Sequence, residues 1–249
     1  TLSFESLGLN PLDITIIKKC TSELSGLVLF TGPTGSGKTT SLYAILHDLI
    51  SEERNILTIE DPVEYRIDGI TQVEVNSLAG ISFASALKAF LRQDPDIILV
   101  GEIRDEETAQ IATRASQTGH LVLSTLHSNN VFEAIRRFQN MGISPEDLAS
   151  SLKLIVSQRL ARKKCDCIDV EKCTKCNGSR VSGRIPILEI LEVDSSIAKQ
   201  IAQGDSIVDI REASIKKGFK SLVELKAKLI NENTILPDLL IDDETSLSQ

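Results

Sequence analysis

Leu27-Val28-Leu29-Phe30-Thr31-Gly32-Pro33-Thr34-Gly35-Ser36-Gly37-Lys38-Thr39-Thr40 is the stretch on which the reading of this chain turns. An apolar run ends in a glycine-rich turn, and the amphipathic segment Ser41 to Leu49 follows, so the order is strand, loop, helix. Gly32 to Thr39 spells G-x-x-x-x-G-K-[ST]. Gly32, Gly35 and Gly37 let the backbone wrap closely enough for its N–H groups to point at a polyphosphate. The following helix turns its positive end toward the same charge. Lys38 is expected to reach the β- and γ-phosphates, and the Thr39 hydroxyl to ligate Mg²⁺. The flanking strand and helix separate this pattern from a glycine-rich turn with a chance lysine. Residues Gly32, Pro33, Thr34, Gly35, Ser36, Gly37, Lys38, Thr39 and Thr40 are therefore read as the binding loop for a nucleoside triphosphate.

The 249 residues suffice for one large domain or a domain with a small appendage, and 41% hydrophobic with 25% charged residues is ordinary for a globular chain. No apolar run approaches the roughly 20 residues of a membrane span, and no signal-peptide pattern opens the sequence. Thr1-Leu2-Ser3-Phe4 reads like the middle of a longer chain that lacks upstream sequence. The net charge of −8, from 27 basic and 35 acidic residues, argues against a dedicated nucleic-acid binder. Four of the five cysteines lie between Cys165 and Cys176. Without an export signal a reducing compartment is the default, which favours metal over disulfides.

Asn10-Pro11 has the form of a helix N-cap followed by proline in the first turn, with Ile14, Ile17 and Cys20 on one apolar face. Cys20 there reads as a small core residue. Asn55 to Ile59 is a buried-strand run that ends in Glu60-Asp61-Pro62-Val63-Glu64. Tyr65 to Val75 alternates about Asp68-Gly69 and predicts a hairpin. Phe83 to Leu91 is helical. Asp96 to Glu102 is uniformly apolar between its ends, as a strand covered on both faces should be. Glu106 to Thr118 is a helix with acidic residues in its first turn. His120 to Leu126 is a further strand, and helices are expected over Val131 to Met141 and Pro145 to Ser157. After Arg159 come the cysteines, a strand from Arg184 to Val193, and three or four short helices between Ile197 and Leu240. The acidic, polar end from Asp242 to Gln249 is expected to fray. Strands alternating with helices imply an α/β fold with a parallel core sheet and ligands at the carboxyl ends of its strands.

Lys38, Glu60, Asp61, Glu64, Glu102 and His127 all follow apolar strands and so should share one rim. An acid closing a buried strand beside a phosphate loop can hold Mg²⁺ through water or orient the attacking water, which makes Glu102 the leading catalytic candidate. A carboxylate that merely caps the next helix is the bland alternative. Asp96, at the other end of that strand, reads as structural. Glu60, Asp61 and Glu64 are expected to extend the Mg²⁺ shell or position water, Glu60 and Glu64 foremost; the alternative is that one or two of them simply face solvent. His120 and His127 flank one strand, and a histidine beyond a strand end can sense a γ-phosphate or serve the core. Arg92, Arg104, Arg114, Arg136 and Arg159 are all candidate charge stabilisers, and spacing does not choose among them. Cys165, Cys167, Cys173 and Cys176 supply four thiolates, enough for tetrahedral Zn²⁺. In an extended backbone the one-residue spacing of the first pair would turn its side chains to opposite faces, and a metal-free loop is the alternative.

Four blocks now stand in order: GPTGSGKTT at Gly32 to Thr40, TIEDPVEY at Thr58 to Tyr65, RQDPDIILVGEIRD at Arg92 to Asp105, and TGHLVLSTLHSN at Thr118 to Asn129. They resemble the Walker A, aspartate, Walker B and histidine boxes of the bacterial type II secretion and type IV pilus ATPases. Ser157-Gln158-Arg159-Leu160 and Gly183-Arg184 also match. The resemblance implies a RecA-like P-loop NTPase domain over residues 25–160, preceded by a lead-in and first helix at 1–24. It implies a cysteine loop at 161–185 and a small helical C-terminal subdomain at 186–249. By the same resemblance Glu102 is the catalytic glutamate, Glu60, Asp61 and Glu64 are the aspartate-box acids, and His120 and His127 are the histidine-box pair. It assigns Lys38, Glu60, Glu64 and His127 to catalysis alongside Glu102, Asp61 and His120 to nucleotide binding, and Thr39 and Glu102 to Mg²⁺. The cysteine cluster is typical of the secretion and pilus-assembly branches and absent from retraction ATPases. Here it is shorter than usual and opens with CxC instead of CxxC.

The function so implied is Mg-dependent ATP hydrolysis that powers assembly of pilin-like subunits in a secretion or type IV pilus machine. A homo-hexamer, an inner-membrane platform and cytoplasmic recruitment proteins are the implied partners. No direct contact with nucleic acid is expected, and the location is cytoplasmic at the inner face of the inner membrane. A domain that supplies arginines to the nucleotide site would precede this piece. The rivals are a hexameric nucleic-acid motor, a P-loop kinase acting on a small molecule, and a nucleotide-gated binding module with negligible turnover.

Overall fold

The structure, a computed structural model, describes residues 2–169 and 171–240, with side chains through 236. Asn10 opens α1 (Pro11–Thr21) by accepting from the Leu12 N–H at 3.0 Å, with proline in the first turn as expected. β1 (Gly26–Thr31) follows, buried at every position, and α2 (Lys38–Leu49) leaves the glycine loop. β2 (Ile56–Glu60), β3 (Thr71–Glu74), α3 (Phe83–Phe90), β4 (Ile97–Val100), α4 (Glu106–Gln117) and β5 (Leu121–Leu126) come next. The chain continues through α5 (Val131–Asn140), α6 (Pro145–Ser151), β6 (Leu152–Lys164) and β7 (Val181–Glu192). It closes with α7 (Ser195–Ala202), α8 (Ile207–Lys216), α9 (Leu222–Asn231) and β8 (Ile235–Leu240). Side-chain caps from Ser82, Asp105, Asn130, Ser144, Asp194, Ser206 and Ser221 explain where α3 to α9 begin.

Among the described residues the eight strands form one sheet in the order β3-β2-β4-β5-β1-β6-β7, with β8 also on β6. Pairing is parallel from β3 through β6, while β7 and β8 run antiparallel to β6. The α/β class with a parallel core is therefore as read. Leu27 and Leu29 of β1 face a core completed by α3, α4, α5 and α6, whereas Val28 and Phe30 face α1 and α2. Burial on both faces is why these strands read as unbroken apolar runs.

Three expectations give way. No hairpin forms over Tyr65 to Val75, because β3 pairs parallel with β2. The turn at Gly69 exists, with φ +88, but the N–H groups of Val63 and Ile67 donate to the side chains of Glu74 and Gln72. The Gln72 side chain of β3 thus satisfies the Ile67 donor that a hairpin partner would have used. The helix expected to reach Ser157 stops at Ser151, and Leu152 starts β6, paired with β1. An apolar run cannot distinguish strand from buried helix by periodicity alone. Third, Ile235–Leu240 is a strand after three helices, its backbone bonded to β6. The divisions at 160/161 and 185/186 fall inside β6 and β7, which pair along most of their length. The segment expected to fray, Asp242 to Gln249, lies outside the described residues.

One buried acid ties the C-terminal part to the core. Glu189 on β7, 4% exposed, accepts from the Val131 N–H at 3.0 Å and the Leu222 N–H at 3.1 Å, the first residues of α5 and α9. Burial pushes its pKa above the ordinary carboxylate value, opposed by those two N–H groups and by Arg159 and Arg211.

Leu123 is fully buried on β5 among the residues packed with α2. Leu123→Ala should lower the unfolding free energy by about 2–5 kcal/mol in urea titrations, since the sheet cannot collapse around the void.

Candidate nucleotide site

The glycine loop takes the backbone shape that its composition predicts. Gly35 and Gly37 sit at φ +82 and +84, left-handed values that a side chain resists. A Cβ at Gly32 would meet the Gln158 carbonyl at 2.4 Å, so that glycine is needed for close approach. A Cβ at Gly35 would meet nothing within 4 Å, because this part of the loop faces open space. Lys38, 8% exposed, folds its ammonium back over the loop and donates to the carbonyls of Gly32 and Pro33, both at 2.8 Å. Curled backbone with a lysine reaching across it is a cradle that fits a polyphosphate.

A cavity of about 640 Å³ opens there. Thr34, Gly35, Gly37, Lys38, Thr39 and Thr40 line one wall; Glu60, Asp61, Glu64, Glu102, Arg104 and His127 line others. Thus Glu60, Asp61, Glu64 and Glu102 reach one space, where Thr39 and Glu102 are oxygen donors suited to Mg²⁺. Gly32 and Pro33 line an adjoining cavity that shares His127 with Arg136 and Arg137. The Ser36 hydroxyl is buried without a hydrogen-bond partner.

Glu102, 9% exposed, lies two residues beyond β4. Its Oε2 accepts from Arg104 Nε and stands 3.5 Å from His127 Nε2. Burial, reinforced by the Lys38, Arg104 and Arg137 cations, lowers the His127 pKa below the ordinary histidine value, although Glu102 pulls the other way. The ring is therefore neutral at pH 7. Its loop is fixed from both sides: Arg137 donates to the His127 carbonyl at 2.7 Å, and the Ser128 N–H donates to Thr31 Oγ1 at 2.8 Å. Thr31 is the last residue of β1, so a single hydroxyl ties the histidine loop to the start of the phosphate loop.

Glu60 is engaged. Its carboxylate accepts from Tyr43 Oη, from Thr58 Oγ1 at 2.5 Å and from Gln72 Nε2 at 3.2 Å, while the residue is only 3% exposed. Tyr43 packs edge-on against Tyr65 with centroids 4.8 Å apart, and burial, aided by Glu60, raises its pKa. His120 is elsewhere. It precedes β5, at the rim opposite His127, with Nδ1 3.0 Å from the Ala115 carbonyl. Of the five arginines offered by sequence, Arg104 lines the main cavity, Arg136 the adjoining one, and Arg159 bonds the carbonyls of Gln158 and Asn129. Sequence reasoning passed over Thr31, and it gave no individual role to Gln158 or Arg184, the latter on the cavity wall. The matching Ser157-Gln158-Arg159-Leu160 and Gly183-Arg184 patterns were the available signals.

The cysteines converge. The Sγ atoms of Cys165, Cys167, Cys173 and Cys176 all lie within 4.8 Å of one another, with Cys165–Cys173 at 3.7 Å and Cys167–Cys176 at 3.6 Å. A tetrahedron with Zn–S bonds of about 2.3 Å has edges of about 3.8 Å, so the donor set fits zinc. The objection from the CxC spacing fails because β6 ends at Lys164 and Cys165 to Cys167 leave the extended ladder. Backbone N–H groups, that of Cys176 foremost, hold the Cys173 thiol down to about 7.

The sequence pattern described as "Type II/IV secretion system protein" matches residues 1–240. The type II secretion system protein HxcR of Pseudomonas aeruginosa is 47% identical over 231 residues, covering 90% of this chain and 49% of HxcR. The type IV pilus assembly ATPase PilB of Thermus thermophilus is 43% identical over 247 residues, 88% of this chain and 28% of PilB. The chain thus spans half or less of the length of these relatives. Among solved structures, the pilus retraction motor PilT with bound ADP superposes with a TM-score of 0.75 at 31% identity, over 94% of this chain and 64% of PilT.

Tyr43→Phe should leave the buried Glu60 carboxylate one donor short. Urea unfolding is expected to show a loss of about 1–3 kcal/mol.

Proposed function

We propose, given that this chain belongs to the type II/IV secretion system protein family, that it is the ATP-hydrolysing part of a motor. That motor assembles pilin-like subunits in a secretion or type IV pilus machine. The observation that carries this reading is Glu102, beside His127 and facing the same cavity as Gly35, Gly37 and Lys38.

ATP lies along the loop from Gly32 to Thr40. Lys38 exchanges the carbonyls of Gly32 and Pro33 for phosphate oxygens, and the N–H groups of the loop and of the α2 N-terminus add their partial charge. Mg²⁺ held by Thr39 and Glu102 would neutralise charge on the β- and γ-phosphates. Glu102 orients a water for in-line attack on the γ-phosphorus, the bond to the β,γ-bridging oxygen breaks, and ADP leaves with its charge on that oxygen. Neutral His127 offers a ring N–H to the γ-phosphate and registers its loss. Glu60, bound to three donors, fixes Tyr43 and the wall of the site, whereas Asp61 and Glu64 face the open cavity, where their carboxylates would attract a bound Mg²⁺. Arg104 pairs with Glu102 at rest and supplies positive charge near the transferred phosphate. His120, on the far rim with Nδ1 against the Ala115 carbonyl, stands outside this arrangement.

Zinc at the four cysteines, a homo-hexamer, and work against an inner-membrane platform complete the proposal. The Sγ geometry supports zinc, and the secretion and pilus-assembly names of the relatives support the machine. None of the described helices is long and apolar enough to cross a membrane.

Lys38→Ala should abolish nucleotide binding. Glu102→Gln should retain ATP while phosphate release without any added acceptor falls about 10²–10⁴-fold. Normal turnover by Glu102→Gln would overturn the catalytic assignment, and a requirement for an acceptor would point to a kinase.

Metal analysis of protein never exposed to chelator should find about one zinc per chain, lost in acid as the thiolates protonate. Protein lacking the metal altogether would sink the zinc assignment.

A further inference from the structure

Gln158 sits on β6, next to the phosphate loop, and is 2% exposed. Its Nε2 donates to the Ser36 carbonyl at 2.8 Å, and its Oε1 accepts from Ser41 Oγ at 2.8 Å. Ser36 and Ser41 are themselves buried, at 0% and 2% exposure. One amide therefore grips the middle of the glycine loop with one hand and the first turn of α2 with the other. Its nitrogen would stand 2.9 Å from a Cβ at Gly37, and its backbone carbonyl 2.4 Å from a Cβ at Gly32, so two glycines of the loop are shaped around this residue. A primary amide is the group that can donate and accept at adjacent atoms in a space this small. A carboxylate would lose the donor, and an alkyl group would lose both.

We infer that Gln158 is a positioning residue for the nucleotide. It holds the Gly35-Ser36-Gly37 bend against β6 so that the loop's N–H groups stay aimed at the phosphates. It touches no phosphate itself; without it the Ser36 carbonyl is buried unpaired and turns toward the cavity to find a partner. The inference rests on reading the loop as a nucleotide site. It adds a constraint from a strand that carries none of the acids.

The test uses ADP binding to the whole chain, wild type beside Gln158→Leu and Gln158→Glu, from pH 4.5 to 8.5, with thermal melting to report folding. Gln158→Leu should bind at least about tenfold more weakly while remaining folded. Gln158→Glu should be as weak at pH 8, because a carboxylate then faces the Ser36 carbonyl. Protonation restores a donor at that atom, so its affinity should return to within about threefold of wild type as pH falls. Burial moves that titration upward, whereas Lys38 in the loop and Arg159, bonded to the Gln158 carbonyl, move it downward. Quoting each affinity as a ratio to wild type at the same pH removes the titration of ADP itself. A merely structural role predicts no recovery in acid. A flat ratio for Gln158→Glu, or wild-type affinity in Gln158→Leu, would overturn the inference. If Gln158→Leu fails to fold, the titration of Gln158→Glu still decides. Failure of the wild type to bind ADP would instead remove the nucleotide-site reading, and this inference with it.

Discussion

A parallel strand sealed on both faces can carry polar chemistry only where it stops. β1 is buried from Gly26 to Thr31 and hydrogen-bonded to β5 on one edge and β6 on the other. Nothing polar is tolerated along it without a partner, so the sequence spends its glycines, lysine and threonines in the residues just beyond. The same rule applies to its neighbours: Glu60 ends β2, Glu102 follows β4 and His127 follows β5. With β5 between them, the ends of β1 and β4 stand about two strand spacings apart, or about 10 Å. That gap suits a phosphate chain with an attacking water beyond it.

Wherever the chemistry is contiguous, the sequence shows it. The phosphate loop is a single run of nine residues from Gly32 to Thr40, and Glu102 closes a strand that contains no other charge after Asp96. Residues whose meaning depends on a distant partner are opaque. Thr31 acts through Ser128, 97 positions away, and Gln158 through Ser36, 122 positions away. Neither pairing leaves a periodicity to read. The α6-to-β6 change at Leu152 is hidden for another reason, since Leu152-Lys153-Leu154-Ile155-Val156 is apolar enough for either element and only the free edge of β1 decides. The one-residue spacing of Cys165 and Cys167 misleads because it separates side chains only in extended backbone, and β6 has ended at Lys164. The opposite placement of the two histidines was implicit once both were assigned to the ends of one strand.

The site also reconciles an acidic chain with an anionic ligand. Net charge is −8, yet Lys38, Arg104, Arg136 and Arg137 gather around the two adjoining cavities. Local fields of this kind matter more to a phosphate than the sum over the surface, because charges spread over the surface are screened within about 10 Å while the buried Lys38 is screened much less. Burial first, and then Lys38, Arg104 and Arg137 among these cations, lower the His127 pKa and favour its uncharged ring.

Glu189 divides its two oxygens between Val131, 58 positions before it, and Leu222, 33 positions after it. A buried carboxylate with one of those partners missing would be costly, so the first turn of α5 and the first turn of α9 share a single condition for being well formed. α5 begins four residues after His127. Through that first turn of α5, the loop that carries the histidine shares a packing condition with α9, the last of the described helices. The residue that couples these two distant helix starts belongs to neither the phosphate loop nor the acids around it.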